Sequence, residues 1–415
     1  MALIQRPTYM EQLSKWQDKH IVKILTGVRR CGKSTLFKMF QDELLSQGVK
    51  EKQIIKLNME DPRNSDLLDW RKLFDFIDSK LLKGKKNYVF IDEIQMVPDF
   101  QRAADGLFIN EDIDLYLTGS NSHFQSGQWA TLLTGRYIEI HVLPLSFKEY
   151  VSAYPFVATK ETMYQHYLET TGFPFVFNMR DDKSFDTMAI REYIQNIYNT
   201  IVLKDVVENK KIRNISRLER VLHFMGDQVG KTTSIKRISD ILTSDGTKID
   251  AHTVESYLDA FLDSYLLYKV KRYDIKGANI LRTMDKYYMV DAGFLRIMLN
   301  KQPLADSGHL LENVVYLELI RRGYKVYVGK MDMYDAGTDK NVSREIDFVA
   351  VGPNGPEYYQ VAETVKAPDT FEREISGLQK IRDHNPKYLL TTDATPETNH
   401  KGIQQMNVLD WLLKD

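Results

Sequence analysis

The strongest constraint on this chain is a short glycine-bracketed run, Gly27-Val28-Arg29-Arg30-Cys31-Gly32-Lys33-Ser34, which reads G-x-x-x-x-G-K-S. The spacing suits a backbone that curls round a phosphate chain. Two glycines free the loop to turn inward, the N–H groups at the start of the following helix meet the anion, the lysine reaches the outer phosphates, and the serine hydroxyl can ligate a metal. The flanks agree. Ile21–Thr26 is an apolar run that predicts a buried strand. Thr35–Leu45 places Leu36, Phe40, Leu44 and Leu45 on one helical face, and Gly48 ends the helix. Gly27, Arg30, Cys31, Gly32, Lys33, Ser34 and Thr35 are therefore expected to bind the nucleotide, with ATP as ligand and Ser34 on Mg²⁺.

A second piece of the same chemistry lies at 87–93, where Asn87-Tyr88-Val89-Phe90-Ile91 runs into Asp92-Glu93. Apolar runs of this kind are central strands of parallel sheets, and ligands of open α/β sheets sit at the carboxyl ends of such strands. Asp92 is expected to hold Mg²⁺ and Glu93 to orient or deprotonate the attacking water, the parts that phosphoryl transfer to water requires. Ile113–Asn121 predicts another strand, whose polar end offers Ser120 or Asn121 to the γ-phosphate or the water. Arg136, at the head of a further strand over Ile138–Leu143, is a candidate arginine finger, acting in its own chain or in a neighbour's site.

Beyond these lie GVRRCGKST (27–35), FIDEIQMVPDF (90–100), LTGSNS (117–122), LTGRY (133–137), LPLSFKEY (143–150) and TGFP (171–174). They are followed by LKDVV (203–207), KYYMVDAGFL (286–295), LLENVVYLEL (310–319) and REIDFV (344–349). In that order the chain resembles a bacterial and archaeal family of AAA-type ATPases with an uncharacterised C-terminal domain. The resemblance covers almost the whole length and implies a AAA core, ATP and Mg²⁺, with no settled substrate. It also singles out Lys204-Asp205, for which the sequence supplies no mechanism and a structural ion pair is the default.

The expected architecture is an α/β P-loop core with a parallel sheet over residues 1–150, a helical lid over 151–225, a winged-helix-like module over 226–306 and a restriction-endonuclease-like α/β domain over 307–415. The lid rests on helical patterns at Glu161–Glu169 and Ser184–Val207. The module rests on helices at Ser234–Leu242 and Thr253–Leu262 and a strand at Leu266–Val270. In a DNA-binding module of that kind the second helix enters the major groove. Here it carries Glu255 and Asp259, which repel phosphate, so Lys269, Lys271, Arg272, Lys276 and Arg282 in the supposed wing are the better basic surface. Contact with DNA and a structural or protein-binding role both stay open.

In the C-terminal domain Glu312 on a helix and Asp347 on a strand suit two metal-binding carboxylates of a nuclease. The third strand reads Gln360-Val361-Ala362 where Glu-x-Lys should stand, so the domain is expected to keep the fold without cleavage.

Composition narrows the rest. Fifty-six Lys+Arg against 57 Asp+Glu give a formal net charge of −1, so no global basic excess announces nucleic acid. The one cysteine, Cys31, lies inside the loop, which excludes an intrachain disulfide and suits a reducing cytoplasm. No run of about 18 apolar residues predicts a membrane span. The partner, nucleic acid or protein, and the oligomeric state are left open, because a neighbour's Arg136 and a site complete in one chain read the same.

Overall fold

The computed structural model describes residues 3–120, 135–154, 158–181, 185–208, 210–281, 284–299, 307–335, 340–394 and 396–414. Its first layer is a five-stranded sheet built from β1 (Val22–Thr26), β2 (Ile54–Asn58), β3 (Asn87–Asp92), β4 (Ile113–Gly119) and β5 (Tyr137–His141). The strand order is β2-β3-β4-β1-β5 and every pairing is parallel. Helices α1 (Pro7–Trp16), α2 (Lys33–Ser46), α3 (Trp70–Lys80) and α4 (Phe100–Phe108) cover the two faces.

Strand alternation decides which side chain faces which layer. Leu25, Tyr88, Phe90 and Tyr116 pack with Phe37 and Phe40 of α2. Val22, Ile24, Val89, Ile91, Leu115 and Leu117 pack with Leu73, Ile77, Ala103 and Leu107 on the other side. Asp92 has the parity of Tyr88 and Phe90, so it emerges on the α2 side, next to the loop that starts α2. Lys23 is fully buried on β1, and its ammonium is paired with Asp114 of β4, which also accepts from the Tyr116 hydroxyl at 2.8 Å. That pairing lets a charge sit inside a parallel sheet.

After the sheet the chain continues as helices Phe147–Ala153, Lys160–Glu169, Pro174–Asp181 and Thr187–Thr200. The last of these continues as a π-helical segment, Ile201–Glu208, which the periodicity did not announce. Helices Ile215–Asp227, Ile235–Ser244 and Ala251–Asp263 follow, then strands β6 (Leu267–Val270), β7 (Arg272–Asp274), β8 (Asn279–Ile280) and β9 (Lys286–Met289). β6 pairs with β9, whereas the β7–β8 hairpin leaves them and joins the C-terminal sheet.

That sheet comprises β10 (Lys325–Asp335), β11 (Lys340–Gly352), β12 (Gly355–Ala362), β13 (Lys387–Thr391), β14 (Thr398–His400) and β15 (Ile403–Asn407), extended by β7 and β8 to eight strands. The edge of β10 would otherwise present unpaired backbone groups, and β7 covers it in parallel register from Arg272 to Asp274. The stretch read as a basic wing is thus bound to its neighbour as a sheet edge. Lys269 in the same stretch is paired with Asp285 at 3.0 Å, and Arg282 lies outside the described residues. Among the described residues no helix is long and apolar enough to cross a membrane.

Candidate nucleotide site

The loop between β1 and α2 turns inward through three left-handed residues, Gly27 (φ +139°), Arg30 (φ +69°) and Gly32 (φ +105°). Gly27 has no substitute. A Cβ there would stand 2.1 Å from the Val142 carbonyl oxygen, a backbone atom that cannot yield. Lys33, the first residue of α2, is 4 % exposed and folds back over the loop, donating to the carbonyls of Gly27 (2.9 Å) and Val28 (3.2 Å) and to the Ser120 hydroxyl (3.1 Å).

Ser120 bridges two charges. Its hydroxyl accepts from Lys33 and donates to Glu93, with 2.8 and 2.9 Å to the two carboxylate oxygens. Glu93 is itself left-handed (φ +54°), uncommon for a residue with a side chain. Its backbone N–H donates to the Thr118 hydroxyl (2.9 Å) and Gln95 donates to its carboxylate (2.5 Å). Burial alone would push the Glu93 carboxyl up. The charges of Lys33 and Arg29 and the hydrogen bonds from Gln95 and Ser120 outweigh it and hold the group below the usual glutamate range, so it is ionised at neutral pH.

Asp92 accepts from the Thr118 hydroxyl and from Ser34, and burial keeps its carboxyl above the usual range against those bonds. Ser34 and Asp92 form an oxygen-only donor pair that fits a hard divalent cation. These residues open onto a cavity of about 590 Å³ lined by Arg30, Lys33, Ser34, Thr35, Asp92 and Glu93 on one side and by Pro174, Phe175, Asn178 and Tyr193 of the helices Pro174–Asp181 and Thr187–Thr200 on the other. Leu3 and Ile4 of the leading segment complete an apolar end that suits a flat aromatic base.

The structure thus brings together Lys33, Ser34, Asp92, Glu93 and Ser120. Cys31 contributes backbone only. Its thiol is fully buried, and burial pushes its pKa up. Asn121 lies outside the described residues. Arg136 is not brought to this site in its own chain. It precedes β5, and its carbonyl accepts from Val22 at the start of β1, whereas the loop leaves from the far end of that strand. Its guanidinium pairs with Asp105 at 2.6 Å and lies over the Phe108 ring. The physical reason is direction: in a parallel sheet every strand start faces away from the ligand end.

Sequence reasoning missed the charges that brace the loop. Arg6, 3 % exposed, donates to the Cys31 carbonyl (3.0 Å), to the Leu143 carbonyl (2.8 Å) and to both oxygens of Glu149 (2.9 and 3.1 Å). Glu149 in turn closes a capping box with Ser146, so LPLSFKEY is a helix start clamped to the loop. Arg29 donates from Nε and Nη2 to Asp205 at 3.1–3.2 Å and from Nη1 to Glu60 at 2.8 Å. Asp205, the acid of LKDVV, therefore ties the π-helical segment to the phosphate loop. The Arg6–Glu149 and Arg29–Asp205 pairs join residues 143 and 176 positions apart, and no local spacing signals that.

TGFP is explained in the same way. Gly172 N donates to Asp291 Oδ2 (2.7 Å), its carbonyl accepts from Leu145 N (2.7 Å), and Pro174 lines the cavity. Asp291, from KYYMVDAGFL, also accepts from Phe294 N at 2.6 Å.

Comparison with known proteins agrees with this geometry. Residues 19–151 match the model of an AAA domain, and residues 161–305 match a domain of unknown function, DUF8612. An uncharacterised protein of Haemophilus influenzae is 36 % identical over 417 aligned residues, covering 100 % of this chain and 99 % of its own. The uncharacterised protein MJ1544 of Methanocaldococcus jannaschii is 30 % identical over 87 % of this chain and 79 % of its own. Among solved structures, the Walker-type ATPase PABY2304 of Pyrococcus abyssi superposes with a TM-score of 0.50 at 14 % identity, over 71 % of this chain and 96 % of that one. With the loop, the parallel sheet and the acid pair in place, the chain belongs to this family of AAA-type P-loop ATPases.

Proposed function

We propose that the protein binds ATP with Mg²⁺ in the cavity between sheet and lid and hydrolyses it. The observation that carries the reading is the buried chain Lys33–Ser120–Glu93. It sets an ionised carboxylate beside a phosphate loop and beside the Ser34–Asp92 oxygen pair. Lys33 would leave the loop carbonyls for the β- and γ-phosphates. Glu93 would accept the proton of the attacking water, Ser120 would keep its carboxylate aimed, and Mg²⁺ held through Ser34 and Asp92 would supply charge neutralisation on the phosphates.

Steady-state ATP hydrolysis tests this. Lys33→Ala should lose nucleotide binding, Glu93→Gln should bind ATP but lose at least about a hundredfold in turnover, and chelation with EDTA should stop the reaction. Glu93→Gln turning over at the wild-type rate overturns the assignment.

Two uses of the cycle are to be separated. Action on, or regulation by, nucleic acid is supported by the helix–turn–helix–strand order over 235–270. A nucleotide-controlled switch for a protein partner is supported by the Arg29–Asp205 contact, which links the phosphate loop to the lid. The same assay with double- and single-stranded DNA at two salt concentrations distinguishes them. Salt-sensitive stimulation favours the first. Indifference to DNA with a change of shape between ATP and ADP favours the second.

A further inference from the structure

A second polar cluster, buried except at its rim residue Glu345, lies outside the nucleotide site, and the function above does not use it. Glu312 on the helix Ser307–Arg321 and Glu345 and Asp347 on β11 converge on one point of the C-terminal domain. At that point sits the ammonium of Lys286, the first residue of β9, from the segment that precedes the domain. It is 2.9 Å from Glu312 Oε1, 2.8 Å from Glu345 Oε1 and 4.0 Å from Asp347 Oδ1, and the lysine is 2 % exposed. Tyr288, two residues on, donates to the same Glu312 oxygen at 2.5 Å. Asp347 accepts from Val361 N at 2.8 Å, and the neighbouring Gln360 binds Glu374 at 2.9 Å.

A divalent cation among these acids would need their free lone pairs at roughly 2.0–2.6 Å and a shell of oxygens. The residues present do not fit one. A charged nitrogen already holds Glu312 and Glu345, and Gln360 and Ala362 on β12 add no further charge. Among the described residues no group of His, Cys, Asp and Glu has the arrangement of a metal site.

We propose that the Lys286 ammonium is the resident cation of this cluster, standing where a nuclease would place its metal, and that it bolts the C-terminal sheet to the segment before it. The electrostatics agree. Burial works against the charged lysine, but Glu312, Asp347 and Glu345 together hold it above its ordinary value, so it is a permanent charge. Burial and the neighbouring Glu312 push the Asp347 carboxyl well up, which is how a cluster with more acids than cations lowers its own charge. The assignment accounts for three motifs at once: the lysine of KYYMVDAGFL, the glutamate of LLENVVYLEL and the acids of REIDFV. It does not depend on the nucleotide site.

The test titrates Mn²⁺ into the nucleotide-free full-length protein and follows the free-ion electron paramagnetic resonance signal. Wild type and Asp347→Asn should be indistinguishable. Lys286→Met, which leaves the acids and removes the cation, should take up about one further Mn²⁺ at least about tenfold more tightly, and the gain should vanish when Asp347→Asn is added. Asp347-dependent Mn²⁺ binding by wild type overturns the proposal, as does a folded Lys286→Met that gains none. If Lys286→Met does not fold, Lys286→Met with Glu312→Gln and Glu345→Gln should, because removing the acids removes the need for the lysine. Failure of that variant to recover the wild-type circular dichroism also overturns it.

Discussion

Gly172→Ala is the sharpest probe of how the nucleotide cavity is held. Gly172 is not in a left-handed conformation, so the glycine is required for space alone. A Cβ would stand 2.7 Å from the Leu145 carbonyl oxygen, 3.1 Å from Asp291 Oδ2 and 3.2 Å from Leu145 N. None of these can step aside. Leu145 N and the Gly172 carbonyl are hydrogen-bonded to each other, and the Leu145 oxygen accepts from the Tyr167 hydroxyl at 2.9 Å. Relief must come from TGFP moving off LPLS, which stretches the bond from Gly172 N to the buried Asp291. Overpacking costs about 1–3 kcal/mol, and weakening a hydrogen bond to a buried carboxyl adds about 1.5–3 kcal/mol. The total is roughly 2.5–6 kcal/mol of local strain.

Pro174 is two residues away, and its ring lies 3.5 Å from the point where a Cβ on Gly32 would sit, so part of the displacement enters the cavity. If about half of the strain is expressed there, affinity for a fluorescent ATP analogue falls at least about tenfold, since 1.4 kcal/mol is a factor of ten. The melting temperature should fall as well. Gly308→Ala is the control, because its Cβ would meet nothing within 4 Å in a helix that an alanine favours. A Gly172→Ala protein that binds the analogue within twofold of wild type and melts at the wild-type temperature would refute the reasoning.

Other expectations are simpler. Asp205→Asn keeps the shape of the contact but removes the negative charge that holds Arg29, freeing that guanidinium to pair with Glu93. Turnover should fall about three- to tenfold with little change in KM, and in a cycle with Arg29→Ala the two effects should be non-additive by about 1 kcal/mol. Arg136→Ala removes an exposed pair with Asp105 and should leave hydrolysis at low protein concentration unchanged; a loss that appears only as concentration rises places the arginine in a neighbour's site. His141, whose ring contacts the Thr26 hydroxyl (3.1 Å) and the Tyr268 hydroxyl (2.8 Å), is pulled down by burial to about 4. Its folded-state pKa lies below the unfolded value, so its contribution is present above the ordinary histidine range and is lost as pH falls toward 4. The urea midpoint of wild type should therefore drop more steeply between pH 6.5 and 4 than that of His141→Gln.

The sequence by itself determined the parts whose information is local. Glycine spacing, an apolar run ending in two acids and a helical repeat after Lys33 fixed the phosphate loop, the Asp92–Glu93 pair and the parallel strands around them. Backbone geometry turns those patterns directly into structure.

What only the tertiary structure decided was which distant charges meet. Arg6 finds Glu149, Arg29 finds Asp205 and Lys286 finds Glu312, pairs 143, 176 and 26 residues apart. A buried charge must be matched wherever its partner falls, and nothing in the spacing along the chain records that match. Arg136 shows the converse. A motif can put an arginine near a site in sequence, but the direction of a parallel strand carried it to the opposite end of the sheet.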